Sequence, residues 1–119
     1  VKSARAFPIK NHGNRMRLAE YKTISGVYKI TNRITNKCYI GQTEWFPMRI
    51  YEHIKDLIKN KHHCQELQDE FIEHGLDNFE VELIEECNRS ELLEREKFYI
   101  NKYQSNLLNT INGKTHLRQ

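Results

Sequence analysis

Glu96 is the side chain in this sequence that packing explains least. In the run from Leu92 to Tyr103, Leu92, Glu96, Tyr99, Ile100 and Tyr103 recur at helical spacing, while Glu94 and Arg95 fall off that face. At about 100° per residue, Glu96 lies about 40° round from Leu92, inside the apolar stripe. A carboxylate there is costly unless it is paired, protonated or holding a cation. Spacing leaves two readings open: a core glutamate bridged to Arg or hydrogen-bonded to Tyr, or a metal ligand or general acid/base. A second such place is the pair Arg49 and His53, four residues apart on the edge of a stripe made by Ile50, Tyr51, Ile54, Leu57 and Ile58. Either Arg49 runs its stem along the core and its head into water, or the pair offers a cation to a phosphate. Tyr28 and Tyr39 each stand two residues from a glycine, Gly26 and Gly41. Strand aromatics are ordinarily core, but a strand glycine also marks close approach of a ligand or another backbone.

His62-His63-Cys64 raises zinc, yet adjacent ligands do not readily share one tetrahedral ion, and no Cys-x2-4-Cys pair accompanies them. Phosphate-cradling Walker loops and Gly-x-Ser-x-Gly elbows are absent. Thiol catalysis has no positioning signal at Cys38, Cys64 or Cys87.

The elements that must hold these groups follow from pattern. Ser25–Thr31 and Cys38–Gly41 read as two short strands around the polar turn Thr31–Lys37, a hairpin with a loop slightly longer than the tightest type. Pro47 suits a helix's first turn, and apolar spacing carries that helix to about Asn60. A second helix is expected over Cys64–His74, with Leu67 and Phe71 on one face and Gly75 as its stop. Phe79–Ile84 alternates as a half-buried strand. Asn88 and Glu91 resemble a capping box opening a last helix to about Tyr103. The tail after Leu108 reads as polar and irregular. The fold class is therefore α+β, a small three-stranded antiparallel sheet packed with about three helices in the order β-β-α-α-β-α.

At 119 residues with 29% charged and 38% apolar side chains, the chain fits one domain plus a tail. It lacks both a membrane-length apolar run and a signal-peptide core. Three widely spaced cysteines argue against a disulfide scaffold and for a reducing, intracellular compartment. The net charge of +3 conceals an asymmetry: residues 1–25 hold six basic side chains against one acidic, and the remainder thirteen against fifteen. The leading segment reads either as a solvated linker or as an arm lying along a polyanion. The acidic body implies that nucleic-acid binding needs local basic groups and a cation rather than bulk charge.

Gly26-Val27-Tyr28, ten residues, then Tyr39-Ile40-Gly41 resembles the paired motif of the GIY-YIG nucleases. The likeness continues through Arg49 with His53 one turn on, His62 before Leu67-Gln68, the glutamate helix Leu93-Glu94-Arg95-Glu96-Lys97-Phe98-Tyr99-Ile100, and Leu107-Leu108-Asn109. It covers about residues 25–112 as a nuclease domain, between a basic arm or linker over 1–24 and a polar tail over 113–119. Val27 replaces the usual isoleucine, and Gln42 stands where serine is common.

The resemblance implies a metal-dependent DNA endonuclease of restriction or homing type, either self-contained or the catalytic part of something longer. Tyr28, Tyr39, Arg49, His53 and Glu96 would be catalytic. Glu96 would hold Mg2+, with Mn2+ able to substitute, and the ion would polarise a phosphate oxygen. Arg49 would neutralise charge on the phosphorane-like centre. Tyr28 would orient the attacking water and take its proton, with help, since a phenol's ordinary pKa is near 10. His62, Asn109 and Lys37 would contact phosphate or water. Double-stranded DNA is the expected partner, with no membrane, and cutting both strands calls for a homodimer or for sequential nicks. The alternative is a non-catalytic nucleic-acid-binding module that keeps the nuclease fold, which could afford to lose some of the five catalytic side chains.

Overall fold

Alternating β-formers on either side of a polar turn build the centre of the molecule. The computed structural model describes residues 5–8, 24–111 and 114–115. In chain order it contains strands β1 (Arg5–Pro8), β2 (Gly26–Asn32) and β3 (Lys37–Thr43), then helices α1 (Phe46–Ile58) and α2 (Gln65–His74). Strand β4 (Phe79–Glu86), helix α3 (Leu92–Lys102) and the two-residue strands β5 (Thr110–Ile111) and β6 (Lys114–Thr115) follow. The β2–β3 turn closes because the Asn32 side chain accepts the Ile34 N–H at 2.9 Å and Asn36 adopts a positive φ of 64°, a conformation asparagine tolerates well.

β2, β3 and β4 form the expected three-stranded antiparallel sheet, with β2 central. β1 extends it along β4, giving the order β1-β4-β2-β3. The basic segment over 1–24 thus contributes one strand to the sheet. Residues 1–4 and 9–23, and the tail apart from Lys114–Thr115, lie outside the described residues. The stretch after Leu108, expected to be irregular, contains the small β5–β6 ribbon.

Alternation along the strands sends two sets of side chains to opposite faces. Tyr28, Ile30, Tyr39, Phe79, Val81 and Leu83 pack with Phe46, Ile50 and Leu57 of α1 and Leu67 of α2. Val27, Cys38, Ile40 and Ile84 pack with Tyr99 and Ile100 of α3. Each such aliphatic or aromatic side chain removed from water stabilises the fold by about 1.5–3 kcal/mol before chain entropy is counted.

The helix ends follow the expected chemistry. Pro47 opens α1. Gly75, at φ 81°, closes α2 with its N–H on the Phe71 carbonyl at 2.8 Å. The Asn88–Glu91 capping box is formed at the turn leading into α3. The phase of α1 differs from expectation. Its buried face is Phe46, Ile50, His53 and Leu57, whereas Tyr51 and Ile58 are exposed. His53 is therefore inside the stripe and not on its edge, because hydrogen bonds on both ring nitrogens offset its burial. Among the described residues no helix is long and apolar enough to cross a membrane, and no disulfide joins the three cysteines.

Candidate active site

The two glycines of the hairpin are explained by what lies against them. A β-carbon on Gly26 would run into the backbone carbonyl of Glu85, where β4 bulges against Val27 and Tyr28. A β-carbon on Gly41 would run into the Tyr28 ring and hydroxyl. The ring thus crosses from β2 over β3, and its hydroxyl comes to rest beneath α1.

There His53 meets it. The His53 Nε2 and the Tyr28 hydroxyl are 2.6 Å apart, and the His53 ring stands edge-on to both Tyr28 and Tyr39. One turn earlier on α1, Arg49 brings its positive charge toward the Tyr28 phenol, where it favours the phenolate, and pairs with Glu52 at 3.0 Å. Burial works against the Arg49 charge, but Tyr28, Glu52 and Tyr39 together more than offset it, so the guanidinium stays protonated. Burial pushes Tyr28 well above its ordinary value. Tyr39 adds to this, Arg49 opposes it, and the Glu96 carboxylate reinforces it. That last effect places the Glu96 charge within electrostatic reach of the phenol, from the α3 side of the sheet.

Glu96 is 3% exposed, in the buried stripe of α3 with Leu92, Tyr99 and Ile100, where periodicity put it. A clamp on either side of it fixes the helix. Arg95 binds Glu85 of β4 through two nitrogens, and the Tyr99 hydroxyl donates to the same carboxylate at 2.8 Å. Arg95 and Tyr99 hold the Glu85 carboxyl below the usual carboxylate range despite burial.

The remaining expected groups are placed differently from one another. His62 is 7% exposed and sits behind His53: its Nε2 is 2.6 Å from His53 Nδ1, and its Nδ1 accepts the Cys64 N–H at 3.0 Å. Burial, with His63 beside it, lowers its pKa to about 4. His53 is lowered well below its ordinary value by burial, then by Arg49, His62 and His63. Asn109 accepts the Ile40 N–H at 2.8 Å and donates to the Ile40 carbonyl at 2.6 Å, so its amide is committed to the outer edge of β3. Lys37 opens β3 two residues before Tyr39 and is exposed.

His63 was not among the expected site residues. Its Nε2 is 3.0 Å from the Tyr39 hydroxyl, and its ring stacks on His62 at 4.4 Å between centroids. The signal available was the doubled histidine at a helix entrance, which the sequence offers for zinc and, at His62 alone, for phosphate or water contact. For zinc the geometry is wrong. Cys64 Sγ donates to the Leu108 carbonyl at 3.3 Å, and no three His, Cys, Asp or Glu side chains among the described residues group as metal ligands. A single buried carboxylate instead fits a hard cation that keeps most of its water, such as Mg2+ or Mn2+.

A model of the GIY-YIG catalytic domain matches residues 24–112. Intron-associated endonuclease 1 of enterobacteria phage T4 is 38% identical over 85 residues, which is 70% of this chain and 34% of that protein. The chain thus spans about a third of the length of the curated relative it matches. Among solved structures, the catalytic domain of the homing endonuclease I-TevI superposes with a TM-score of 0.68 at 36% identity, covering 74% of this chain and 99% of that one. A mutant of that domain gives the same TM-score at 35% identity, over 76% and 97%.

Proposed function

The chain belongs to the GIY-YIG nuclease family, and from that premise we propose that it is a metal-dependent endonuclease hydrolysing phosphodiester bonds of double-stranded DNA. Likeness to an intron-associated endonuclease and to a homing-endonuclease catalytic domain supports the homing type over the restriction type. One observation carries the reading: a single phenol, Tyr28, gathers His53 at 2.6 Å, the Arg49 guanidinium and the field of a buried carboxylate, Glu96.

In this reading Glu96 would hold a divalent cation, Mg2+ or Mn2+, which would supply Lewis-acid stabilisation of negative charge on the phosphate. Arg49, one-third exposed, stabilises negative charge on the phosphorane-like centre. Tyr28 orients the attacking water and, once its own proton has passed to bulk solvent, takes the water's proton as the phenolate. Burial opposes that phenolate, so donors and positive charge around its oxygen are a requirement of the mechanism. Tyr39, tied to His63, lines the same face and hydrogen-bonds near the water. Lys37 contributes a phosphate contact at the end of the hairpin, and the basic excess of residues 1–25 adds attraction for the duplex. A duplex cut requires a second copy of the chain or two nicks in sequence.

The test is supercoiled plasmid incubated with the protein and Mg2+. Nicked circles are expected from wild type and not from Glu96→Ala or Tyr28→Phe. Intact plasmid with wild type, or equal nicking by Glu96→Ala, overturns the enzyme reading in favour of a binding module.

A further inference from the structure

We propose that His62 is a positioning residue that fixes the tautomer of His53, so that His53 donates its Nε2–H to the Tyr28 oxygen and does not accept the phenol's proton. The inference rests on the nuclease reading only for its consequence, since the hydrogen-bond polarity follows from geometry.

A backbone N–H can only donate. The Cys64 N–H lies 3.0 Å from His62 Nδ1, which must therefore be a bare lone pair. A neutral His62 then carries its one proton on Nε2, and that nitrogen is 2.6 Å from His53 Nδ1. His53 Nδ1 is thereby the acceptor, and the single proton of a neutral His53 falls on Nε2, 2.6 Å from the Tyr28 oxygen. Every step is forced once both rings are neutral. Their burial, at 1% and 7% exposure, and the Arg49 cation nearby keep them so. The origin of the relay is itself anchored. Gln68 of α2 accepts the His62 N–H at 3.0 Å and donates to the Leu57 carbonyl of α1 at 3.1 Å, so the loop carrying His62 is pinned to the helix carrying His53. The two rings lie nearly parallel, 22° apart.

The consequence is a Tyr28 oxygen that receives a donor from His53 and lies in the field of the Arg49 cation. Both favour negative charge on that oxygen, where burial disfavours it. The fixed backbone amide of Cys64 is the remote source of that preference, two rings away.

The decisive measurement is long-range proton–nitrogen correlation NMR on the full chain, with the imidazoles 15N-labelled and neither metal nor DNA present. Both His53 and His62 are expected as Nε2–H tautomers at neutral pH, and an Nδ1–H signal from His53 overturns the proposal. Activity supplies the second arm. His62→Leu removes the donor to His53 and is expected to lower kcat by about tenfold with KM for plasmid within about twofold. His62→Gln, whose amide still donates, is expected to recover most of that loss. Equal kcat losses in the leucine and glutamine variants overturn the proposal. Should His62→Leu not fold, the wild-type spectrum decides alone. A wild type that shows both tautomers but cuts no DNA refutes the nuclease reading and leaves the relay standing. An active wild type with Nδ1–H on His53 refutes the relay alone.

Discussion

The Tyr28 ring occupies the space a β-carbon of Gly41 would fill, so the tyrosine of one hairpin strand and the glycine of the other are two halves of one packing contact. Neither residue acts locally. Gly41 sets where the phenol can lie, and the phenol's position sets what His53 and Arg49 can reach.

Gly41→Ala should therefore damage both stability and catalysis. The methyl displaces the Tyr28 ring and hydroxyl, a form of overpacking that costs about 1–3 kcal/mol. Urea denaturation should show that loss, and plasmid nicking should fall by more than about tenfold. A variant as stable and as active as wild type would mean that the ring has room to move.

Glu96→Gln keeps the shape of the side chain and removes its charge. Nicking should drop by about a hundredfold or more. Chelation by EDTA should abolish wild-type nicking, with recovery on adding Mg2+ or Mn2+. Calorimetric titration with Mn2+ should give heat with wild type and none with the variant. Undiminished Mn2+ binding by Glu96→Gln would move the cation elsewhere.

Acid should destabilise the fold through its buried histidines. His62 and His53 have folded pKa values pushed down, His62 to about 4, while an unfolded histidine takes up its proton near the ordinary 6.5. Below that value the unfolded chain binds protons the folded chain refuses. Their contribution is thus complete above pH 6.5 and declines as pH falls toward 4, by up to about 1.4 kcal/mol per pH unit for each ring. His62→Gln has no such proton to bind and should lose about 1–2 kcal/mol less than wild type between pH 7 and 5. Parallel losses in the two proteins would contradict this.

Removing the Glu85 carboxylate should loosen α3. Glu85→Ala leaves Arg95 and the Tyr99 hydroxyl without their acceptor, at a cost of about 1–3 kcal/mol. Glu94→Ala, on the exposed side of the same helix, should stay within about 0.5 kcal/mol. Chemical denaturation of the two variants side by side distinguishes them.

Glu96 was legible in the sequence because helical periodicity leaves little freedom to an acid flanked by Leu92, Tyr99 and Ile100. The hairpin was legible because β-formers alternate on both sides of an asparagine-rich turn. The phase of α1 was not. Tyr51 and Ile58 read as core but are exposed, and the helix instead buries His53, whose fit comes from hydrogen bonds to Tyr28 and His62 that no apolar pattern encodes. His63 escaped for a related reason. Its approach to Tyr39 depends on the loop after α1, where Asn60 takes a positive φ of 57°. β1 was invisible because four residues ending in proline carry too little pattern, and their partner on β4 is some seventy-five residues away.

Asn109 imitates a peptide group. Its amide takes the N–H and carbonyl of Ile40, and the Leu108 N–H takes the carbonyl of Cys38. Three backbone groups that β3 would otherwise present to a neighbour, the Ile40 N–H and carbonyl and the Cys38 carbonyl, are taken by the chain itself, which hinders strand addition along that stretch of the border. A second strand pairing with this stretch of β3 would first have to displace the asparagine.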